Sequence, residues 1–450
     1  MLPMAASRVR RILAVSLLVA TACASAEDRF NEGTRLQFQG RYVEAVYRYA
    51  EAVKKDPELV VARDRLLAAG DTAVLVAMEE ADELVGRGDP VQAAGRYQQI
   101  DAMVARIREV GLRPLLPEAY AATRREAFDD AIDWQMTEAD AAARDGRWED
   151  AVRYYRGARD GYLPSRDQVE ASYDGETALL LTWAEVELAD GHPRSAHELA
   201  QRALNVRGSS ARETVLTVRD IQDRALADGT VVIAVVPVTA EPGVREWLGG
   251  EFEIQLDNDL ALDYWTRPPL FVQVADPIVL RRELRGLLRG RAAQSPLVVG
   301  RALDLIGADV GVVVRLTGIE VSERDVERDR HEAVVRRNAR RGTGDAVTDT
   351  VVYETVRGTM SYFVEAEILL VDPDGRKVNR LTASARESGP FERGEFQGDP
   401  RILPNEGDHA RFFDPAVLSG QMTQIEGAVM TGLAAAIASG TYDQIVAAIR

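Results

Sequence analysis

Four times in the first half of this chain, a glycine is followed five positions later by a small residue, and nine and twelve positions later by residues that extend the same stripe. The segments are Gly40-Arg41-Tyr42-Val43-Glu44-Ala45, with Tyr49 and Ala52 beyond; Gly88-Asp89-Pro90-Val91-Gln92-Ala93, with Tyr97 and Ile100; Gly146-Arg147-Trp148-Glu149-Asp150-Ala151, with Tyr155 and Ala158; and Gly191-His192-Pro193-Arg194-Ser195-Ala196, with Ala200 and Ala203. Steps of four and seven from the small residue fall on one face of a helix. The glycine ends one helix, and the small residue lets the next approach it closely. Such a hairpin buries its apolar face only against neighbours, so the pattern predicts a stacked α-solenoid over residues 27–228. A plain helical bundle would use the same small-residue contacts.

The pattern resembles the tetratricopeptide repeat (TPR). Its first unit matches best: Gly33, Gly40, Tyr42, Ala45, Tyr49, Ala52 and Pro57 fall on the family's positions. The four glycines are spaced 48, 58 and 45 residues apart, against a family period of about 34. The helices must therefore be longer than usual or separated by extra elements. The resemblance implies an array that offers a concave face to peptides or partner proteins. Tyr47, Tyr49, Tyr97, Tyr154 and Tyr155 either contribute to that face or pack between helices.

At Asp228-Gly229 the helical period stops, and residues 229–445 read as a second domain. Thr230 to Val238 is a near-continuous β-branched run, the signature of a buried strand. Val244, Trp247, Leu248, Phe252 and Leu256 mark an amphipathic helix. Leu270–Val274 is a second strand, Asp276-Pro277 opens a helix, a further helix over about 295–306 ends at Gly307, and Ala308–Leu316 is a third strand. From Val356 to Leu370 the even positions are apolar or small, the period-2 alternation of a strand with one wet face. Asp372-Pro373-Asp374-Gly375 is a tight turn from which Lys377–Glu387 returns antiparallel. Residues 415–448 are helical again. Between these elements sits a charged insertion, about 321–350, densest from Glu323 to Arg341. The expected class is thus α plus α/β: a TPR-like solenoid followed by a mixed-sheet domain with a long antiparallel hairpin.

With Ile233-Ala234-Val235-Val236-Pro237, the Asp276-Pro277 helix start and Leu305-Ile306-Gly307-Ala308-Asp309-Val310 entering a strand, residues 229–440 resemble the curli-secretion lipoprotein (CsgG) family and the lipoprotein activators of penicillin-binding proteins (LpoB). The resemblance implies a periplasm-facing domain used in envelope assembly or secretion. In the secretion channel, added hairpins form an oligomeric transmembrane barrel. A membrane strand needs a lipid-facing apolar row, which the charged insertion lacks.

The N-terminus points the same way. Arg8, Arg10 and Arg11 precede the apolar run Ile12–Ala20, the layout of a secretory signal over residues 1–26. Ala20-Thr21-Ala22-Cys23 resembles a lipobox, with Ala20 where Leu is usual, which makes Cys23 the lipidation site. The alternative is Ala24-Ser25-Ala26, cut before Glu27. Cys23 is the one cysteine among 450 residues, so no disulfide can form within the chain. A net charge of −17 argues against nucleic acid as a general partner.

No Gly-x-Ser-x-Gly, phosphate loop or Gly-x-Gly-x-x-Gly follows a strand. His192 and His197 are five apart, not at the spacing of a zinc pair, and no cofactor or metal site is expected. Asp372-x-Asp374-Gly375 has a faint calcium-loop look but lacks the further acidic ligands, and Asp408-His409 reads as a solvated loop. Arg281–Arg291 is a locally basic helix, either packed through its leucines or facing anions. The loop with Phe396, Asp399 and Arg401 is either structural or docks a partner. The expectation is a non-enzymatic, exported protein of a Gram-negative-type envelope, periplasmic or lipid-anchored in the outer membrane. It binds envelope proteins or peptides through its array. The alternative is a homo-oligomeric secretion channel of the curli type.

Overall fold

The computed structural model describes residues 25–207, 212–248, 250–287, 295–337, 347–403 and 412–449. They form two compact units: residues up to Glu185 with Leu199–Arg219, and Val186–Glu198 with the chain from Asp220 onward.

Nine helices occur among the described residues before the first strand: α1 (Ala26–Phe38), α2 (Tyr42–Lys55), α3 (Val60–Gly86), α4 (Pro90–Glu109), α5 (Tyr120–Arg144), α6 (Trp148–Gly161), α7 (Arg166–Ala189), α8 (Pro193–Arg207) and α9 (Arg212–Gly229). One turn ends α1, α3, α5 and α7. Gly40, Gly88, Gly146 and Gly191 take φ of 76°, 78°, 72° and 77°. The next N–H then bonds the carbonyl five residues back: Arg41 to Leu36 at 3.0 Å, Asp89 to Leu84 at 3.0 Å, Arg147 to Ala142 at 2.8 Å and His192 to Glu187 at 2.8 Å. That left-handed closure is where glycine is required. Ala45, Ala93, Ala151 and Ala196 behind it are all fully buried. Twelve residues before each alanine stands another small, buried residue: Gly33, Ala81, Ala139 and Ala184. The repeat is therefore a left-handed glycine turn with a small buried residue before and after it, and the helical region is TPR-like. The wide spacing comes from the first helix of each later hairpin, where α3, α5 and α7 run 27, 25 and 24 residues against 13 for α1, and from the segment 110–119.

The second unit holds β1 (Val231–Ala240), α10 (Pro242–Leu248), α11 (Gly250–Asp259) with a π-helical turn at Leu260–Tyr264, β2 (Val272–Val274), α12 (Pro277–Leu287), α13 (Pro296–Ile306), β3 (Val310–Arg337), β4 (Val347–Val371), β5 (Lys377–Glu395) and α14 (Pro415–Ala448). The five strands make a mixed sheet in the order β2-β1-β3-β4-β5. β2 and β3 run parallel to β1, whereas β4 and β5 follow antiparallel. α11 and α14 cover one face through Leu256, Leu433 and Ile437 against Ile233, Val314 and Ile368. α12 and α13 cover the other through Leu280, Val299 and Leu303 against Ala234, Val236 and Val313. Burial on both faces explains why β1 reads as a near-continuous apolar run, Val231 to Val238, with no polar residue in it.

The expected helix over 244–256 is two helices, and the expected second strand shortens to three residues behind Pro268-Pro269. The charged insertion differs more. Its described part is strand: β3 continues past Leu316, where pairing with β1 ends, and pairs β4 out to Arg337↔Val347. Beyond Leu316 one edge of β3 lies open, and dense charge is what keeps such an edge from pairing with other chains. β5, the opposite edge, is blunted differently. Pro390 lacks an N–H, the Glu392 N–H donates to Gln421 at 3.1 Å, and the Arg380 N–H donates to the Asn379 side chain at 2.8 Å.

Candidate functional sites

In the helical unit, Tyr49, Tyr97 and Tyr155 point inward. The Tyr49 hydroxyl donates to Gln37 at 2.8 Å, and its ring lies so close to Gly33 that a Cβ there would sit 2.8 Å away. The Tyr155 hydroxyl donates to Asp140, and burial pushes its ionisation well above the ordinary tyrosine range. Tyr154 packs edge-on to Trp134 at 5.9 Å. The tyrosines proposed for a binding face are thus mainly inter-helix packing, with Tyr47 partly exposed. The outward apolar surface lies elsewhere. On α3, Leu75 is 59 % and Val85 46 % exposed. Met78, half-buried between them, reaches the core. Glu79 and Asp82, also exposed, lie between Leu75 and Val85, and sequence reasoning passed over these positions because the helix is apolar on several sides.

Two buried carboxylates are closed by arginine pairs. Glu176, 1 % exposed, accepts from Arg156 at 2.8 Å and Arg159 at 3.0 Å, and so ties α6 to α7. Glu367 on β4, 4 % exposed, is held by Arg315 of β3 and Arg380 of β5. In each, both oxygens are engaged, an arrangement that fixes structure at low dielectric.

A crevice of about 470 Å³ runs beside the edge strand β2. Val235, Ala261, Trp265 and Pro268 form apolar walls, and Asp257 and Arg281 meet at 2.5 Å on its rim. Burial raises the Asp257 carboxyl above its usual range despite the opposing pull of Arg281. Such a site suits a small apolar group. Its residues come from separate segments, and the sequence marked only Arg281 and the Asp276-Pro277 start among them.

The other expected residues are dispersed. Asp399 caps the short turn Pro400–Ile402 by accepting from the Arg401 N–H at 3.0 Å, and Phe396 folds onto Gly398. The loop is therefore self-structured, with Asp399 and Arg401 exposed. Asp372 accepts the Gly375 and Arg376 N–H groups at 2.9 and 2.7 Å and so shapes the β4–β5 turn. Arg281 pairs with Asp257 and Arg282 with Glu283. His192 meets Glu187 at 2.9 Å, His197 packs edge-on to Phe271 and His331 meets Thr355 at 2.9 Å. Among the described residues, no group of three or more His, Cys, Asp or Glu could hold a metal ion, and no helix is long and apolar enough to cross a membrane. Cys23, His409 and the end of the basic helix lie outside the described residues.

No protein-family model and no curated protein matches the chain. Among solved structures, a thermophilic TPR protein of Thermus thermophilus aligns at 19 % identity over 45 % of this chain and 100 % of its own, with a TM-score of 0.14. PilW, a widely conserved type IV pilus biogenesis factor, aligns at 12 % identity over 45 % of this chain and 86 % of its own, also with a TM-score of 0.14. The repeat character rests on this chain's own turns and packing.

Proposed function

We propose that this chain is a non-enzymatic cell-envelope protein whose TPR-like array holds a partner protein while its α/β unit supports envelope assembly or secretion. The observation that carries this reading is a pair of exposed apolar residues on one side of α3, set apart by the acidic Glu79 and Asp82. Leu75 and Val85 face solvent on a helix whose opposite face, with Ala73, Ala77, Ala81 and Leu84, is spent on packing. Apolar residues interleaved with acidic ones on a rigid, repeat-built surface are suited to a protein partner that offers both apolar and basic side chains. Replacing both Leu75 and Val85 with Asp should leave the fold intact and abolish co-purification of the envelope partner. Undiminished co-purification would sink the reading.

The same proposal places the protein in the periplasm or, lipidated at Cys23, on the outer membrane. Supporting the Cys23 cut is the first turn of α1. The Asp28 N–H donates to Ser25 Oγ at 3.0 Å, and the Ser25 N–H donates to the Asp28 carboxylate at 2.8 Å. Cleavage after Ala26 would discard this cap and leave a positive amino group at the helix start, which the helix dipole disfavours. A Cys23→Ala protein should leave the membrane fraction; one that stays there unchanged would favour the other cut.

A second reading, an oligomeric channel, is favoured by strand length: β3 and β4 run 28 and 25 residues, beyond the roughly 9–11 that span a bilayer. Against it, the outer ribbon carries Asp329, Arg330, Glu332 and Glu354 rather than an apolar row. Rings with single-channel conductance would revive it; a silent monomer would end it.

A further inference from the structure

One cavity has a charge balance opposite to that of the whole chain, whose net charge is −17. It encloses about 480 Å³ on the α13 side of the sheet, floored by Val313 and Leu369, with Arg315, Lys377 and Arg380 around Glu367. Glu367 is used up: Oε1 faces Arg380 and Oε2 faces Arg315. Arg315 Nε is buried and has no hydrogen-bond partner, the Glu241 carboxylate lying 3.9 Å away. Lys377 makes no ion pair among the described residues. Even counting Glu241, three cations face two carboxylates. The donors left over, the rest of the half-exposed Arg315 guanidinium, the Arg380 fork and the Lys377 ammonium, come from two strands and line one cavity with an apolar floor.

We propose that this cavity binds a phosphate monoester group. Three separate cationic donors match the three terminal oxygens of a tetrahedral phosphate, whereas a planar carboxylate presents two. The volume exceeds what phosphate alone needs and falls in the range of small-ligand sites, so the floor takes the apolar part of the ester. This goes beyond partner binding by the helical array and does not depend on it. The phosphate belongs either to a soluble ester or to a lipid headgroup.

The test titrates the full chain with glycerol phosphate by calorimetry and floats it with vesicles of phosphatidic acid or phosphatidylcholine. Lys377→Glu is the deciding variant, because Lys377 is exposed and holds nothing in the fold; Lys377→Gln removes the charge without adding one. Saturable binding of glycerol phosphate is expected, weakened about tenfold or more by Lys377→Glu and less by Lys377→Gln. If only phosphatidic acid vesicles bind, and Lys377→Glu releases them, the phosphate is a headgroup's and the proposal stands in that form. No saturable binding in either arm, or equal binding by the parent and Lys377→Glu, overturns it.

Discussion

Gly175 and Gly95 both lie inside helices of the array, yet replacing each with alanine should move stability in opposite directions. A Cβ at Gly175 on α7 would sit 2.4 Å from Tyr155 Cε1 and 2.7 Å from Cζ. The ring has nowhere to go, because it is buried and its hydroxyl is tied to Asp140 on α5. Overpacking of a tethered ring costs about 1–3 kcal/mol, and the upper part of that range applies. Alanine recovers about 1 kcal/mol of helix propensity. The net expectation for Gly175→Ala is a loss of about 1–2 kcal/mol. At Gly95 on α4 a Cβ meets nothing within 4 Å, so only the propensity gain of about 1 kcal/mol remains. For a unit of this size, each kcal/mol moves the midpoint by about 2–4 °C. Scanning calorimetry and urea unfolding of the full chain should show the helical unit's transition falling for Gly175→Ala and rising for Gly95→Ala. If both rise alike, the tight α6–α7 contact is wrong.

Removing the buried carboxylate with Glu176→Ala strands Arg159 and should cost about 3 kcal/mol; Glu176→Gln, which keeps hydrogen-bond acceptors, should cost clearly less in the same urea titration. Burial lowers the His197 imidazole's proton affinity, so the unfolded chain takes the proton first. That contribution is present above the ordinary histidine value near 6.5 and is lost as pH falls through it toward the folded value, and His197→Leu should flatten the slope between pH 7.5 and 5. At Asp28 the Ser25 hydrogen bonds hold the carboxyl below its usual range. Its contribution is present at neutral pH and lost as pH falls through the folded value, and Ser25→Ala, which loses the hydroxyl cap but keeps the backbone N–H that donates to Asp28, should weaken that acid dependence without removing it.

The sequence carried the hairpins well, for a physical reason: a left-handed glycine followed at fixed offsets by a small residue and two stripe residues has few alternatives. It hid the partner half of each contact. Ala81, Ala139 and Ala184 sit in alanine-rich helices, where one more alanine is invisible until its opposite number is known. The Glu176 and Glu367 clusters were equally hidden, because a carboxylate in a helix or half-wet strand reads as solvated until arginines from other elements arrive. β3 was obscured by the exposed, charged stretch from Glu323 to Arg330, where no buried residue marks the alternation that Ala333 and Val335 resume further on. The crevice beside β2 draws Asp257, Trp265 and Arg281 from separate segments and leaves no local motif.

On the proposed function, a partner sits over Leu75 and Val85 on the exposed side of α3. A photo-cross-linking amino acid placed at position 75 or 85 of the full chain in its native host cells tests the proposal, with the exposed Arg153 position on α6 as control. The expected result is one discrete adduct of the same mass from positions 75 and 85 and none from position 153. Adducts from all three sites alike, or from none, would contradict it.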